Sequence, residues 1–385
     1  MSSLSISRPV LEWAADRLGT TVDGLAKDLA APSRAQRFLK GELTTTQAVA
    51  LAKKTGIPFG FLFLSEPPEL QRREIPDLRQ TPNAEPLGTA FFELLDDIDA
   101  KVAWFRQRLK VDEISGPEFV GRFSEKVVTP IAVAQDIDRT LKLHEIDREK
   151  VTDHGALFGL ISRRLEDLGV LVFRSGVAKG NPHKPLPVTE FRGFAIADAE
   201  VPVVFVNGRD SPAAWIFTLL HEAAHIWLGV SGVSDSSAST IQKPKGTEAF
   251  CNQVAAEVLT PEKEFKRYWV NLDAAEAIPA LARHFKVSRL VVARRALDFG
   301  FISQARYDEV ASASVPTKKQ SGGNPYATIP IRSSRRFTSA VLNSAVAGET
   351  LLKEAARLLN SSPDTVMELY RRRASGGPEE DFADA

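Results

Sequence analysis

Two histidines and a glutamate stand within five residues of an otherwise apolar run, SPAAWIFTLLHEAAHIWLG, at positions 211–229. His221 and His225 are four residues apart, so on a helix their imidazoles share one face, about one turn apart, and can reach a single ion. Glu222 projects about 100° away around the axis. That leaves its carboxylate to take a proton from water rather than to ligate. Two imidazole ligands and a carboxylate base are the parts of metal-assisted hydrolysis. The competing explanation is a pair of core histidines with ordinary hydrogen-bond partners. Burying two imidazoles and a carboxylate without partners costs on the order of several kcal/mol, and a metal removes much of that cost.

A catalytic zinc site needs a third protein ligand, and the run GTEAFCNQVAAEVLTP, 246–261, offers two carboxylates. Glu248 opens this second helix. Glu257 lies about two and a half turns further along and faces a different direction and level, so Glu248 is preferred. Two nitrogens and one oxygen favour zinc, one ion per chain, with manganese or iron as alternatives. Asn252 is a candidate for orienting a ligand from behind. Cys251, one turn after Glu248, reads as a small buried helix residue rather than a soft ligand. His183, in the proline-rich GNPHKPLP, is placed to stabilise an oxyanion or, more simply, is a surface-loop histidine. Tyr326 follows a Gly-Gly pair and has no geometry assigned from sequence.

These residues need a scaffold. Asp210-Ser211-Pro212 supplies a cap and a first-turn proline for the histidine helix. GVLVFR (169–174), FRGFAIAD (191–198) and PVVFVN (202–207) are rich in β-branched and aromatic residues and read as strands. The order helix, three strands, helix predicts an α+β core. The strand 191–196 could accept an extended substrate as an added strand or be an ordinary internal strand. Helices are expected over 89–150, and two-helix rhythms recur at 278–303 and 351–373.

The first eighty residues read as four or five short helices of helix-turn-helix type, with Pro9, Thr20 or Thr21, Pro32 and Thr44 to Thr46 at their starts. The third helix, SRAQRFLKG, would enter a DNA major groove, with Arg34 and Gln36 as base readers and Arg37 and Lys40 on phosphates; the alternative is a helix-turn-helix domain repurposed to hold a protein. Lys+Arg and Asp+Glu are both 49, so there is no bulk field and any nucleic-acid contact must be local. A single cysteine excludes a disulfide framework within the chain and fits a reducing compartment. No signal peptide and no run of about 18 apolar residues is visible, so a cytoplasmic protein is expected, without membrane contact.

HEAAHIWLG followed by EAFCNQVAAEVLTP resembles the ImmA/IrrE family of bacterial zinc metallopeptidases. The segment from Gly169 through the strands to Gly229 is similar to that family's approach to its metal helix. Residues 6–69 resemble the XRE-type helix-turn-helix domain often fused to it, and 322–359 the C-terminal region of its long members. The resemblance implies His221, His225 and Glu248 as zinc ligands and Glu222 as general base and acid in peptide hydrolysis. Family members commonly cleave or bind a repressor or antitoxin. The expected architecture is multidomain and mainly α, around a central zincin-like α+β metallopeptidase core with a small mixed sheet. The expected segments are a helix-turn-helix domain at 1–80, a helical connector at 81–150, the core at 151–275, a helical subdomain at 276–316, a C-terminal helical domain at 317–373 after a Gly-rich linker, and a disordered acidic tail at 374–385. The expected function is a regulatory zinc endopeptidase acting on a repressor or antitoxin, with double-stranded DNA as a second partner and a homodimer as an assembly to test. The alternative is an antitoxin or autorepressor of a toxin–antitoxin module whose metallopeptidase domain is a protein-binding scaffold.

Overall fold

The computed structural model describes residues 3–16, 18, 20–55, 59–67, 75–78, 85–124, 126–234, 246–270, 272–313 and 325–374. The chain forms two compact units, Met1–Glu74 with Pro86–Asp97, and Ile75–Glu85 with Ile98–Ala385. Among the described residues no helix is long and apolar enough to cross a membrane.

The first unit holds β1 (Ser3–Ser5), α1 (Arg8–Asp16), α2 (Val22–Leu29), α3 (Ala35–Leu39), β2 (Glu42–Thr44) and α4 (Thr45–Thr55). Thr21 caps α2 by accepting from the Gly24 backbone N–H at 3.2 Å. Val10, Leu11, Leu25, Phe38 and Leu51 meet in its core. The hydrophobic spacing predicts helices alone here, yet β1 and β2 pair antiparallel, with Ser3 opposite Thr44. Strands of three residues are too short for an alternating pattern to stand out from the helical one.

The chain continues through α5 (Thr89–Val111), α6 (Pro130–Leu141), α7 (His154–Asp167), β3 (Leu171–Ser175), β4 (Gly193–Ile196), β5 (Val203–Asn207), α8 (Pro212–Leu228), β6 (Gly232–Ser234) and α9 (Gly246–Leu259). The helices expected over 89–150 are separated by turns between α5 and α6, where Gly116-Pro117 and Gly121 interrupt the periodic pattern. The sheet order is β3-β5-β4-β6, with β3 and β5 parallel and the other pairs antiparallel. The α8 helix packs against β4 and β5 and is flanked by α6, α7 and α9. Every residue from Trp215 to Trp227 is buried.

Eight further helices follow: α10 (Glu262–Trp269), α11 (Ala274–Phe285), α12 (Arg289–Asp298), α13 (Gln304–Ser312), α14 (Pro325–Arg332), α15 (Arg335–Val346), α16 (Leu352–Leu358) and α17 (Pro363–Ala374). Of the expected linker at 317–325, residues 317–324 lie outside the described residues and Pro325 already opens α14; the acidic tail beyond Ala374 also lies outside them. The C-terminal helices dock on the core through α14 and α15, which meet β3, and α15 also meets α7. Phe337 of α15 is fully buried, with ring centroids 5.6 Å from Trp104 and 6.4 Å from Phe173. Glu166, at the end of α7, caps α15: its Oε1 accepts from Ser334 Oγ at 2.5 Å and from the Arg335 N–H at 2.7 Å.

Burial pushes the Glu166 carboxyl up to about 7, against the pull of the Ser334 hydroxyl and the Arg335 charge. Folded protein therefore keeps a proton that unfolded chain releases near 4.5, and stability falls as pH rises from 4.5 to 7. Glu166→Gln keeps the Oε1 acceptor and removes the titration. Thermal melts across that window should show wild type losing Tm relative to Glu166→Gln, with the gap levelling off above pH 7; parallel curves would exclude Glu166 as the source.

Candidate metal centre

The α8 helix begins where the sequence demands. Ser211 Oγ accepts from the Ala214 N–H at 3.3 Å, Pro212 takes the first helical position, and Gly229 closes the helix with φ 71°. Along its 17 residues α8 carries His221, Glu222 and His225 beneath the sheet, and all three are fully buried. On the far side α9 brings Glu248 in its first turn, 3% exposed.

The donor atoms converge. The Nε2 atoms of His221 and His225 are 3.1 Å apart. His221 Nε2 lies 3.3 Å from Glu248 Oε2, and His225 Nε2 lies 3.0 Å from Glu248 Oε1. A tetrahedral ion with ligand bonds of ~2.0–2.1 Å separates its ligands by about 3.3 Å, so the three groups already stand near the edges of such a tetrahedron. They are the group of three or more His, Cys, Asp or Glu side chains found able to hold a metal ion among the described residues. Two imidazole nitrogens facing each other in a dry interior need a shared proton or a cation between them. Burial alone would raise Glu248, but hydrogen bonds and charge from both imidazoles outweigh it and draw the carboxyl down to about 2. The cluster is thus a buried anion and two nitrogen donors, a set that fits a divalent cation such as zinc.

Glu222 stands apart from this trio, as its position on the helix requires. Its Oε1 accepts from Ser234 Oγ on β6, while its Oε2 is buried without a hydrogen-bond partner. Burial pushes this carboxyl up to about 8; positive charge at the neighbouring ligands would oppose that and favour the carboxylate. Opposite Ser234 in the strand register is Gly193 of β4. A Cβ at Gly193 would lie 2.6 Å from Thr218 Cγ2, 2.8 Å from Glu222 Oε1 and 2.9 Å from the Phe205 carbonyl oxygen. The cross-strand pair Gly193 and Ser234 is therefore the seat of the Glu222 carboxylate, one member by absence of a side chain and the other by a hydroxyl. Neither is singled out by sequence spacing. Ser234 sits in a three-residue strand, and only the sheet register reveals that Gly193 faces α8.

The remaining candidates fall elsewhere. Glu257 pairs with Arg295 and accepts from the Glu262 N–H at 3.1 Å, away from the trio. Asn252, one turn beyond Glu248, lies beside His221, where its side chain favours the protonated imidazole. Its Oδ1 and the Nδ1 atoms of both histidines are buried without hydrogen-bond partners of good geometry. Cys251 is wholly buried in the main core and is not one of the three converging groups. His183 is exposed in the loop before β4, and its backbone N–H donates to Asn181 Oδ1 at 3.0 Å. Tyr326 lies under the Arg372 guanidinium, 4.1 Å from the ring centroid. The strand 191–196, weighed as a docking edge, forms β4, which is interior and paired on both sides; the edge beside Glu222 is β6. In the first unit, Arg34, Gln36, Arg37 and Lys40 are all exposed, and Arg37 is held by Glu42 at 2.8 Å.

Residues 165–297, roughly a third of the chain, match the family model described as Peptidase_M78, IrrE N-terminal-like domain. The matched span begins at the end of α7 and runs through the sheet, α8 and α9 into α12, so it contains the whole converging cluster. Residues 333–372 match a model described as a domain of unknown function, DUF8813. No curated protein matches the chain.

Gly193→Ala tests the close approach of β4 to α8. The Phe205 carbonyl is backbone and cannot rotate aside, so overpacking should cost about 1–3 kcal/mol, read as a lower denaturant midpoint with an unchanged slope. An unaltered midpoint would mean that β4 and α8 have room to spare.

Proposed function

We propose that this protein is a zinc-dependent endopeptidase that cleaves a partner protein, a transcriptional repressor or antitoxin. The observation that carries the proposal is the convergence of His221, His225 and Glu248 at 3.0–3.3 Å with Glu222 beside them, inside the segment similar to IrrE. The class of partner is supported by the resemblance of most of the chain to the ImmA/IrrE family, whose members commonly cleave or bind a repressor or antitoxin.

Zinc would be held by the two Nε2 atoms and the Glu248 carboxylate. When bound, it supplies Lewis acidity toward a carbonyl and makes water more acidic. The chain's own residues do the rest. Glu222 accepts the proton of the attacking water through Oε2, the oxygen left without a partner, and returns it to the leaving amine as the peptide C–N bond breaks. Ser234 holds Oε1, so one carboxylate oxygen is fixed while the other works. The apolar walls from Trp215 to Trp227 and from β4 keep bulk water out and strengthen each charge inside.

The test uses purified full-length protein loaded with zinc and repressor or antitoxin proteins encoded beside it. Glu222→Gln should keep one zinc per chain and lose about 10²–10⁴-fold in cleavage rate, the usual contribution of a positioned acid–base group. Cleavage by Glu222→Gln at the wild-type rate would remove Glu222 from the chemistry. A partner bound tightly but left intact by both proteins would instead favour the scaffold function.

The exposed Arg34, Gln36 and Lys40 of the first unit support a further contact, with double-stranded DNA. Phosphate contacts release counterions, so retardation of a duplex should weaken steeply between about 50 and 200 mM salt. Binding that is absent at low salt, or insensitive to salt, would exclude it.

A further inference from the structure

The β6 strand is the sheet edge nearest Glu222, and its outward hydrogen-bonding groups are already taken. The Val233 N–H donates to the Pro76 carbonyl at 2.9 Å, and the Leu78 N–H donates to the Val233 carbonyl at 3.0 Å. Residues 76–78 therefore run parallel to β6, with Asp77 opposite Val233. The Leu78 side chain fills the space that a side chain at 232 would need: a Cβ on Gly232 would meet Leu78 Cδ1 at 2.2 Å. A few residues on, the Glu85 carboxylate accepts from Thr189 Oγ1 at 3.0 Å, in the turn before β4. The segment thus grips the same two strands that seat Glu222, from β6 at one described end to the approach of β4 at the other. Ile75 and Leu78 are half-buried, while Pro76 and Asp77 are exposed.

An extended peptide reaches a sheet by pairing with an edge strand's free N–H and C=O groups. At β6 both outward groups of Val233 belong to the chain's own segment. We infer that residues 75–78 are a built-in competitor, a strap that occupies the substrate edge and must leave β6 before an extended partner can pair there. This rests on the endopeptidase assignment above for what the edge is used for, but the competition itself is a statement about binding. Both ends of the segment Ile75–Glu85 continue covalently into the first compact unit, Met1–Glu74 and Pro86–Asp97. The strap is therefore joined by chain, on both sides, to a unit other than the one it pairs with. The strap is a device of chain connectivity: the N-terminal unit owns the segment by sequence, and the core owns it by hydrogen bonding.

Leu78→Pro removes the donor to the Val233 carbonyl, and Leu78→Ala removes the side chain over Gly232 while keeping that donor. Each is made in the full chain, zinc-loaded, in a Glu222→Gln background so that bound peptide survives. The probe is a mixture of peptides from a denatured bacterial lysate. Leu78→Pro should retain about tenfold more peptide than Leu78, the factor that ~1.4 kcal/mol represents, with Leu78→Ala between. In the free Leu78→Pro protein the Val233 amide should exchange hydrogen faster than in Leu78, and added peptide should slow it again. Equal retention by all three proteins, or retained peptide that leaves Val233 exchange unchanged, overturns the strap. Cleavage of the same mixture by Leu78→Pro with Glu222 intact is read separately. Retention without cleavage keeps the strap and sinks the endopeptidase, whereas cleavage without a Leu78 effect does the reverse.

Discussion

The fold depends on a charge problem placed in the middle of an oily helix. From Trp215 to Trp227 every residue of α8 is buried, and three of them carry titratable side chains. In so dry a setting an unpaired carboxylate or imidazolium is costly. The answer is local reciprocity, in which Glu248 arrives from α9 with a charge opposite to that which the imidazoles can carry. The first turn of α9 has one position that meets α8 at the right level, and Glu248 has it. Removing either partner alone leaves the other as an uncompensated buried group, so the two helices are bound by chemistry as well as by the apolar faces they share.

The sheet is subordinate to that arrangement. Its strands are short, and β4 comes so near α8 at Gly193 that no side chain fits between them. That nearness is what lets a strand hydroxyl, on Ser234, touch a helix carboxylate. Because β4 is flanked by β5 and β6, the strand that comes closest to Glu222 at Gly193 is also closed to partners. Any approach in extended form is directed to the single outer strand on that side. Helix, strand register and edge thus follow from one tight contact.

Much of this was legible in the residues. The histidine helix, its cap at Ser211 and Pro212, and the meeting of Glu248 rather than Glu257 with the two histidines follow from helical spacing, since angular position on a helix is a function of residue number. Three of four strands of the main sheet announced themselves by β-branched and aromatic runs. Gly-Val-Ser at 232–234 did not, because three residues carry no periodicity. Nor could Gly193 or Ser234 be tied to Glu222, because that link passes through strand register and sheet order, which are long-range properties. The strap was invisible for the same reason: IPDL looks like an ordinary linker until β6 is seen beside it.

The bond between Glu166 and Ser334 joins residues 168 apart in sequence. Synthesis proceeds from the N-terminus, and domains tend to fold as they emerge from the ribosome. When α8 and α9 first leave the exit tunnel, the cap for α15 is already made but has nothing to cap, and the pocket awaiting Phe337 is open on its β3 side. The core therefore waits, incompletely sealed, until Ser334 and Phe337 have also emerged. A chain that stalls before Ser334 would be a natural client for chaperones, and a stop codon there would be felt at the heart of the molecule rather than at its end.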